Sequence, residues 1–236
     1  MTIAYITDLH IDEANPAALG ADTRRNWLLI YQNLIHRNVD MVVLGGDLGA
    51  GEGVSWLLNF MQGYSWHVTP GNHDDRALLK TFYHNPETDT RHALYFGFDK
   101  EGYRYLFLDT QPDVLDDQQM EWLKKYVQTD LPLIVFAHHP VLGVDTWVDA
   151  HYPLKNRAEV ETVLRSHPGP VTIFCGHYHL EHTTHSGNIT QHVCPAASFT
   201  IRQDSDTFLP DISVTAYQLI YADASGVKRE VISIEL

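Results

Sequence analysis

Ile3-Ala4-Tyr5-Ile6-Thr7-Asp8-Leu9-His10 is an apolar run that stops at a carboxylate and an imidazole two residues apart. The pattern recurs four times. Met41–Leu44 runs into Gly45-Gly46-Asp47, and Trp66–Val68 into Gly71-Asn72-His73-Asp74. Leu133–Ala137 runs into His138-His139-Pro140, and Val171–Phe174 into Gly176-His177-Tyr178-His179. Short runs rich in Val, Ile, Leu or Tyr read as buried strands. Carboxylate, imidazole and amide groups set repeatedly at strand ends are what a metal site at one sheet edge requires.

In extended chain, residues i and i+2 point to the same face. On that reading Asp8 and His10 grip one ion together, and His177 and His179 turn toward a common centre. Imidazole and carboxylate suit Zn, Fe or Mn better than Ca or Mg, which prefer oxygen shells. Asn72 adds a neutral amide oxygen. Gly45, Gly46, Gly71 and Gly176 precede the ligands, where the backbone turns sharply or approaches a ligand closely. With only Asp8 and Asp47 charged, two divalent ions leave a positive surplus that attracts an anion such as phosphate.

The joint order D-x-H, G-D, G-N-H-D, H-x-P, G-H-x-H resembles that of the calcineurin-like metallophosphoesterases. More narrowly, Thr7-Asp8-Leu9-His10, Pro70-Gly71-Asn72-His73-Asp74, His138-His139-Pro140 and the segment Asp149…Leu154-Lys155-Asn156 look like the bacterial class III 3′,5′-cyclic-nucleotide phosphodiesterases. The resemblance covers roughly positions 3 to 193. As a joint pattern it is specific, whereas any single block is weak.

The resemblance implies an α/β fold, a sandwich of two mixed β-sheets flanked by helices. It implies that Asp8, His10 and His179 bind the first metal, that Asn72, His138 and His177 bind the second, and that Asp47 bridges both. It implies catalysis by His73 and Asp47 on a phosphodiester, with cyclic nucleotides leading and a metal-bound hydroxide attacking. The cofactors would be two transition-metal ions, Fe, Mn or Zn. Substrate contacts would come from Asn72, His73, Trp147, Tyr152 and Asn156. Phosphomonoesterase and glycerophosphodiesterase activities remain alternatives. Nucleotide-lipid pyrophosphatases tend to carry Arg where this chain has His73, which counts against them. Non-catalytic scaffolds of this fold tend to lose ligands or the catalytic His, and none is missing here.

The chain has 236 residues, 44% of them hydrophobic, enough to bury the core of one α/β domain spanning 1–236. Its formal net charge is −14 and it has no Lys/Arg cluster, which disfavours nucleic acid as partner. Cys175 and Cys194 lack framework spacing and suggest a reducing compartment. With no basic-then-apolar leader and no apolar run of spanning length, the expectation is a cytoplasmic protein without a membrane partner. Its partner is a small phosphoester, and a homodimer is compatible with the sequence.

Between the motifs, helices are expected over Arg24–Asn38, Ser55–Met61, Asp117–Val127 and Asn156–Arg165. Another, capped by Asp74 or Asp75, carries Leu78, Leu79 and Phe82. Leu94–Phe98 and Tyr103–Leu108 read as a hairpin. Asn188–Val193, Val214–Tyr221 and Glu230–Ile234 read as strands, with a turn at Gly226. Asp74 is taken as the cap rather than the orienter of a nearby group, and Cys175 as a buried thiol. His139 is assigned to the core or to the surroundings of the ligands. His36, His84, His92 and His167 are surface or core residues, and His182, His185 and His192 occupy loop or strand positions. In the loop Gly143–Asn156, Trp147, His151 and Tyr152 either stack on a base or pack the loop down.

Overall fold

The computed structural model describes residues 1–84, 93–205 and 207–236, so His92 lies outside the described residues. Strand β1 (Thr2–Ile6) leads to helices α1 (Ala14–Ala18) and α2 (Thr23–Leu34). Next come β2 (Met41–Leu44), α3 (Glu52–Asn59), β3 (Trp66–Val68) and α4 (Arg76–Phe82). The middle of the chain forms β4 (Phe96–Lys100), β5 (Tyr103–Phe107), α5 (Asp117–Tyr126), β6 (Leu133–Phe136), α6 (Trp147–His151), α7 (Arg157–Arg165) and β7 (Val171–Cys175). The remainder is β8 (His182–Ser186), β9 (Ile189–Val193), a ribbon of β10 (Thr200–Ile201) and β11 (Pro210–Asp211), and the hairpin β12 (Val214–Asp223) and β13 (Gly226–Glu235).

Two mixed sheets result, as expected. One has the order β13-β12-β1-β2-β3 and the other β4-β5-β6-β7-β9-β8. Strands β1, β2 and β3 are parallel, as are β5, β6, β7 and β9, and the antiparallel pairs lie outside them. Side-chain alternation builds the layers. Tyr105, Phe107, Ile134, Phe136 and Phe174 join β1 and β2 in the cluster between the sheets. The intervening Leu106, Leu133, Val135, Val171 and Ile173 pack with Leu123 of α5 and Val160 and Leu164 of α7. Tyr5 ties the sheets together: its ring stacks on Phe136 at 5.6 Å and its hydroxyl donates to the Ala137 carbonyl at 3.1 Å.

This topology positions the motifs. Each of the five follows one of β1, β2, β3, β6 and β7, whose carboxyl ends share an edge within their sheets, the usual ligand edge of parallel α/β sheets. The two edges meet across the sandwich, where His138 Nδ1 donates to the Gly45 carbonyl at 2.9 Å.

Several expected boundaries move. Helix α2 stops at Leu34, four residues before Asn38, and Arg37 N–H donates to the Leu34 carbonyl at 2.9 Å. Leu94 is outside the hairpin because its N–H donates to the Asp109 carboxylate at 2.7 Å. The last hairpin is longer than expected, since solvated positions such as Lys228 and Arg229 belong to the ladder. Helices α1 and α6, strand β8 and the ribbon were not expected. Among the described residues no helix is long and apolar enough to cross a membrane.

Candidate metal centre

The backbone corrects the strand-alternation argument for Asp8-x-His10 and His177-x-His179. Asp8, His10, Asp47, His177 and His179 adopt left-handed conformations, with φ of 55°, 47°, 53°, 70° and 53°. Their side chains converge through tight left-handed turns past the strand ends, not through a shared strand face. Such conformations cost roughly 1–3 kcal/mol each for non-glycine residues and persist only where surroundings over-determine them. Here the loops after β1 and β2 are zipped: Asp8 N–H donates to Gly46 O at 2.9 Å, His10 N–H to Asp47 O at 2.8 Å and Ile11 N–H to Leu48 O at 3.0 Å. The loop after β7 joins them, with His177 N–H donating to the Asp8 carboxylate at 3.0 and 3.1 Å. A Cβ at Gly71 would fall on the Asp47 carboxylate, and one at Gly176 on Thr7 and Asp8.

Asp74 is the orienter, not the helix cap. Its carboxylate accepts from Asp47 N–H at 2.9 Å, Leu48 N–H at 2.8 Å and Gly71 N–H at 2.8 Å, which locks the loops after β2 and β3 together. Burial, and then the neighbouring Asp47 charge, push its pKa up to about 7. Asp75 caps α4, accepting from Ala77 and Leu78 N–H at 2.8 and 3.1 Å.

Two groups of side chains, Asp8 with His10 and His179 and Asp47 with His138 and His177, are close enough to hold ions, and a third, His10 with Glu13 and His73, shares His10 with the first. Their imidazoles have one nitrogen engaged outward and the other aimed inward, as in metal sites whose outer partners fix the tautomer. His179 Nδ1 donates to Phe199 O at 2.9 Å, so its Nε2 faces His10 Nε2 at 3.2 Å and Asp8 Oδ1 at 3.4 Å. His138 Nδ1 is taken by Gly45, and its buried Nε2 has no hydrogen-bond partner. His177 gives Nε2 to the Tyr152 carbonyl at 2.9 Å, which leaves Nδ1 as its ligand nitrogen. Asp47 Oδ2 lies 3.3 Å from His138 Nε2 and 3.6 Å from His10 Nε2, between the two groups as a bridge requires. An orphaned buried nitrogen within an imidazole–carboxylate donor set fits transition-metal ions.

The charges follow from this packing. Burial opposes ionisation of Asp8, but His179 and His138 outweigh it and hold the pKa at about 2. Burial likewise opposes charge on His138, yet Asp47 raises its pKa to about 10. For His177, burial and the His138 charge act together and lower the pKa to about 3.

The remaining residues sort clearly. Asn72 and His73 are exposed and border a cavity of about 670 Å³ beside both groups. Trp147 lines that cavity and also stacks on His151 at 4.4 Å, so it packs the loop while keeping a face beside the cavity. Asn156 does not reach the cavity. Its amide accepts from Leu115 N–H at 3.1 Å and donates to Leu115 O at 2.9 Å, which corrects its assignment to substrate binding. His139 is buried against Thr110 and Asp113. Cys175 is a buried free thiol. His182, His185 and His192 lie on β8 and β9, outside both groups. Sequence reasoning missed Glu13, whose carboxylate meets His10 and His73, and the cavity residues Leu19, Phe199 and Phe208. No spacing signal marks any of them.

The calcineurin-like phosphoesterase family model matches residues 1–181. The chain is 27% identical over 227 residues to a probable cyclic nucleotide phosphodiesterase of Fibrobacter succinogenes, covering 93% of this chain and 89% of that protein. It is 27% identical over 198 residues to the 3′,5′-cyclic adenosine monophosphate phosphodiesterase of Escherichia coli, covering 76% and 70%. Among solved structures it is similar to a dimetal phosphatase from Danio rerio, with a TM-score of 0.71 at 15% identity and coverage of 100% and 98%. At that identity the likeness concerns the fold alone.

Two outcomes are expected. A cation that takes His138 Nε2 must displace its proton, whereas His177 is already neutral. Metal uptake at pH 7 should therefore release about one proton at the His138 site and tighten as pH rises, and Asp47→Asn should weaken both ions. Calorimetry in buffers of different ionisation heat reads this, and uptake without proton release would contradict it. Asp74→Asn should cost about 1–3 kcal/mol and lower metal affinity, because it sets an amide N–H against a backbone N–H. Asp75→Ala should cost about 1 kcal/mol and leave metal affinity unchanged. Denaturant melts with metal titrations of both variants separate the two residues.

Proposed function

The chain belongs to the calcineurin-like phosphoesterase family, and from that premise we propose that it is a metal-dependent phosphodiesterase acting on 3′,5′-cyclic nucleotides. The observation that carries the reading is the composition of the cavity. Asp47, Asn72, His73 and His179 line its polar side, and Leu19, Trp147, Phe199, Ile201 and Phe208 its apolar side. Its lining among the described residues includes no Lys or Arg. A monoester carries nearly two negative charges and a diester one, so a site without Lys or Arg favours the diester. The aromatic wall offers a surface for a flat base. Phe199 and Phe208 stand edge to face at 6.2 Å, with Trp147 at 6.4 Å from Phe208. Relatives named as cyclic nucleotide phosphodiesterases support the same choice.

Asp8, His10, Asp47, Asn72, His138, His177 and His179 would hold two ions, which would supply Lewis acidity and bring the pKa of water toward about 7. The side chains do the rest. Asp47 holds the two groups in register, and Asn72 presents its amide at the cavity edge. His73 is the acid. Its Nδ1 is engaged by Glu13 at 2.9 Å, so Nε2 is left to protonate the departing alkoxide. The hydrogen bond to Glu13, partly offset by burial and reinforced by Asp47, raises the His73 pKa to about 9, so the imidazole carries its proton at neutral pH.

His73→Ala should leave metal content near wild type and lower turnover of diesters with alkoxide leaving groups by about 10²–10⁴-fold. The loss should shrink for nitrophenolate, which leaves without a proton. Equal losses across leaving groups would remove the acid role. For substrate, kcat/KM measured under one metal condition should rank cyclic AMP and cyclic GMP above glycerophosphodiesters and a simple monoester. Trp147→Ala should raise KM for cyclic nucleotides and spare bis-nitrophenyl phosphate. A preference for the monoester would overturn the substrate assignment and leave the metal site standing.

A further inference from the structure

Glu13 lies at the start of α1, after the D-x-H motif, and its side chain is only 12% exposed. One of its oxygens, Oε2, sits 2.9 Å from His73 Nδ1 and 3.0 Å from His10 Nδ1. The two rings come from loops after different strands and meet edge to face at 4.9 Å. The second oxygen, Oε1, is buried without a hydrogen-bond partner. A carboxylate placed for general surface charge would face water with both oxygens. This one is turned inward onto two imidazoles, and its backbone N–H is held by the His10 carbonyl at 3.2 Å.

We propose that Glu13 is a positioning residue that orients the metal ligand His10 and the proposed acid His73 through a single carboxylate oxygen. On His10 the carboxylate stands 3.0 Å from Nδ1 and so favours a proton there, while Nε2 faces His179 Nε2 and Asp47 Oδ2. On His73 it fixes the hydrogen at the same atom, which leaves Nε2 for the substrate. The outer carboxylate on a ligating histidine is a known determinant of metal affinity. What this chain adds is that the same oxygen also holds the neighbouring ring, so the acid and the first ion stand at a set distance from each other. The part concerning His73 rests on the proposed function; the part concerning His10 does not.

The test uses the full chain with Glu13→Ala and Glu13→Gln, the second retaining an oxygen of similar reach. Titration with Mn²⁺ or Zn²⁺ alone should show the first ion weakened by about 10–100-fold in Glu13→Ala and largely recovered in Glu13→Gln. At saturating metal, Glu13→Ala should lower kcat about 10-fold or more for a diester with an alkoxide leaving group, with little change in KM and little effect on bis-nitrophenyl phosphate. On a His73→Ala background it should add no further loss in kcat, because residues acting through one another are not additive. Unchanged metal affinity in both variants would overturn the role at His10. An equal kcat loss with and without His73 would overturn the role at His73. A third ion per chain that disappears in Glu13→Ala would show that Glu13 is a ligand, against the proposal. The metal titration needs no substrate, and the leaving-group comparison needs no nucleotide. Failure of the cyclic-nucleotide assignment is therefore separable from failure here.

Discussion

Two carboxylates, Asp8 and Asp47, are buried side by side past the ends of adjacent parallel strands, and the rest of the site is arranged around that fact. A buried charge without partners costs several kcal/mol even after relaxation. Asp8 is met by the Thr7 hydroxyl, the His177 amide and the His179 ring, and Asp47 by the His73 amide and the rings of His138 and His10. The partners come from the loops after β1, β3, β6 and β7, and Asp47 itself from the loop after β2. Satisfying the two carboxylates therefore forces five loops into contact, and the left-handed residues are the form those loops take. Metal ions would meet the same electrostatic demand more completely, so the geometry needed to bury the acids is also the geometry needed to bind ions.

The strands were legible because parallel strands covered on both faces read as continuous apolar runs. The motifs were legible because each follows one of those strands directly. The elements that escaped have identifiable reasons. Strand β8, His182-Thr183-Thr184-His185-Ser186, contains no apolar residue and is held as an edge by pairing with β9. Helix α1 carries Pro16, which reads as a breaker, although a proline in the first turn is tolerated. The ribbon strands β10 and β11 have two residues each, too few for any periodicity.

The site divides along the same line. The positions that converge, Asp8, His10, Asp47, His138, His177 and His179, were readable because they repeat one grammar, residue type at strand end. Positions that act from irregular chain were not. Glu13 follows left-handed Asp12, which is anchored by Arg24 at 2.7 Å, and its aim depends on that turn rather than on spacing. Asp74 and Asp75 are neighbours with the same side chain, and only the direction of each Cβ separates orienter from cap. Asn156 matched a family phrase, yet its amide is consumed by Leu115. A phrase reports that a segment resembles another and does not report which of its side chains is free.

Net charge and local charge pull in opposite directions in this chain. The formal charge of −14 repels an anionic substrate at long range, and the cavity lining among the described residues offers no Lys or Arg to offset it. At ionic strengths near 0.15 M that repulsion is screened beyond about 8 Å, so attraction need only operate within the cavity. His138 and His73, with pKa values raised to about 10 and about 9, mark where Asp47 and Glu13 make positive charge most favourable. A cation taken up at the first of these positions would replace a proton with a larger charge. His73 stands outside the groups built on Asp8 and Asp47 and, paired with Glu13, keeps its proton. A single acidic framework thereby supports metal charge for the phosphate and, beside it, a proton for the leaving group, without a Lys or Arg in the cavity lining among the described residues.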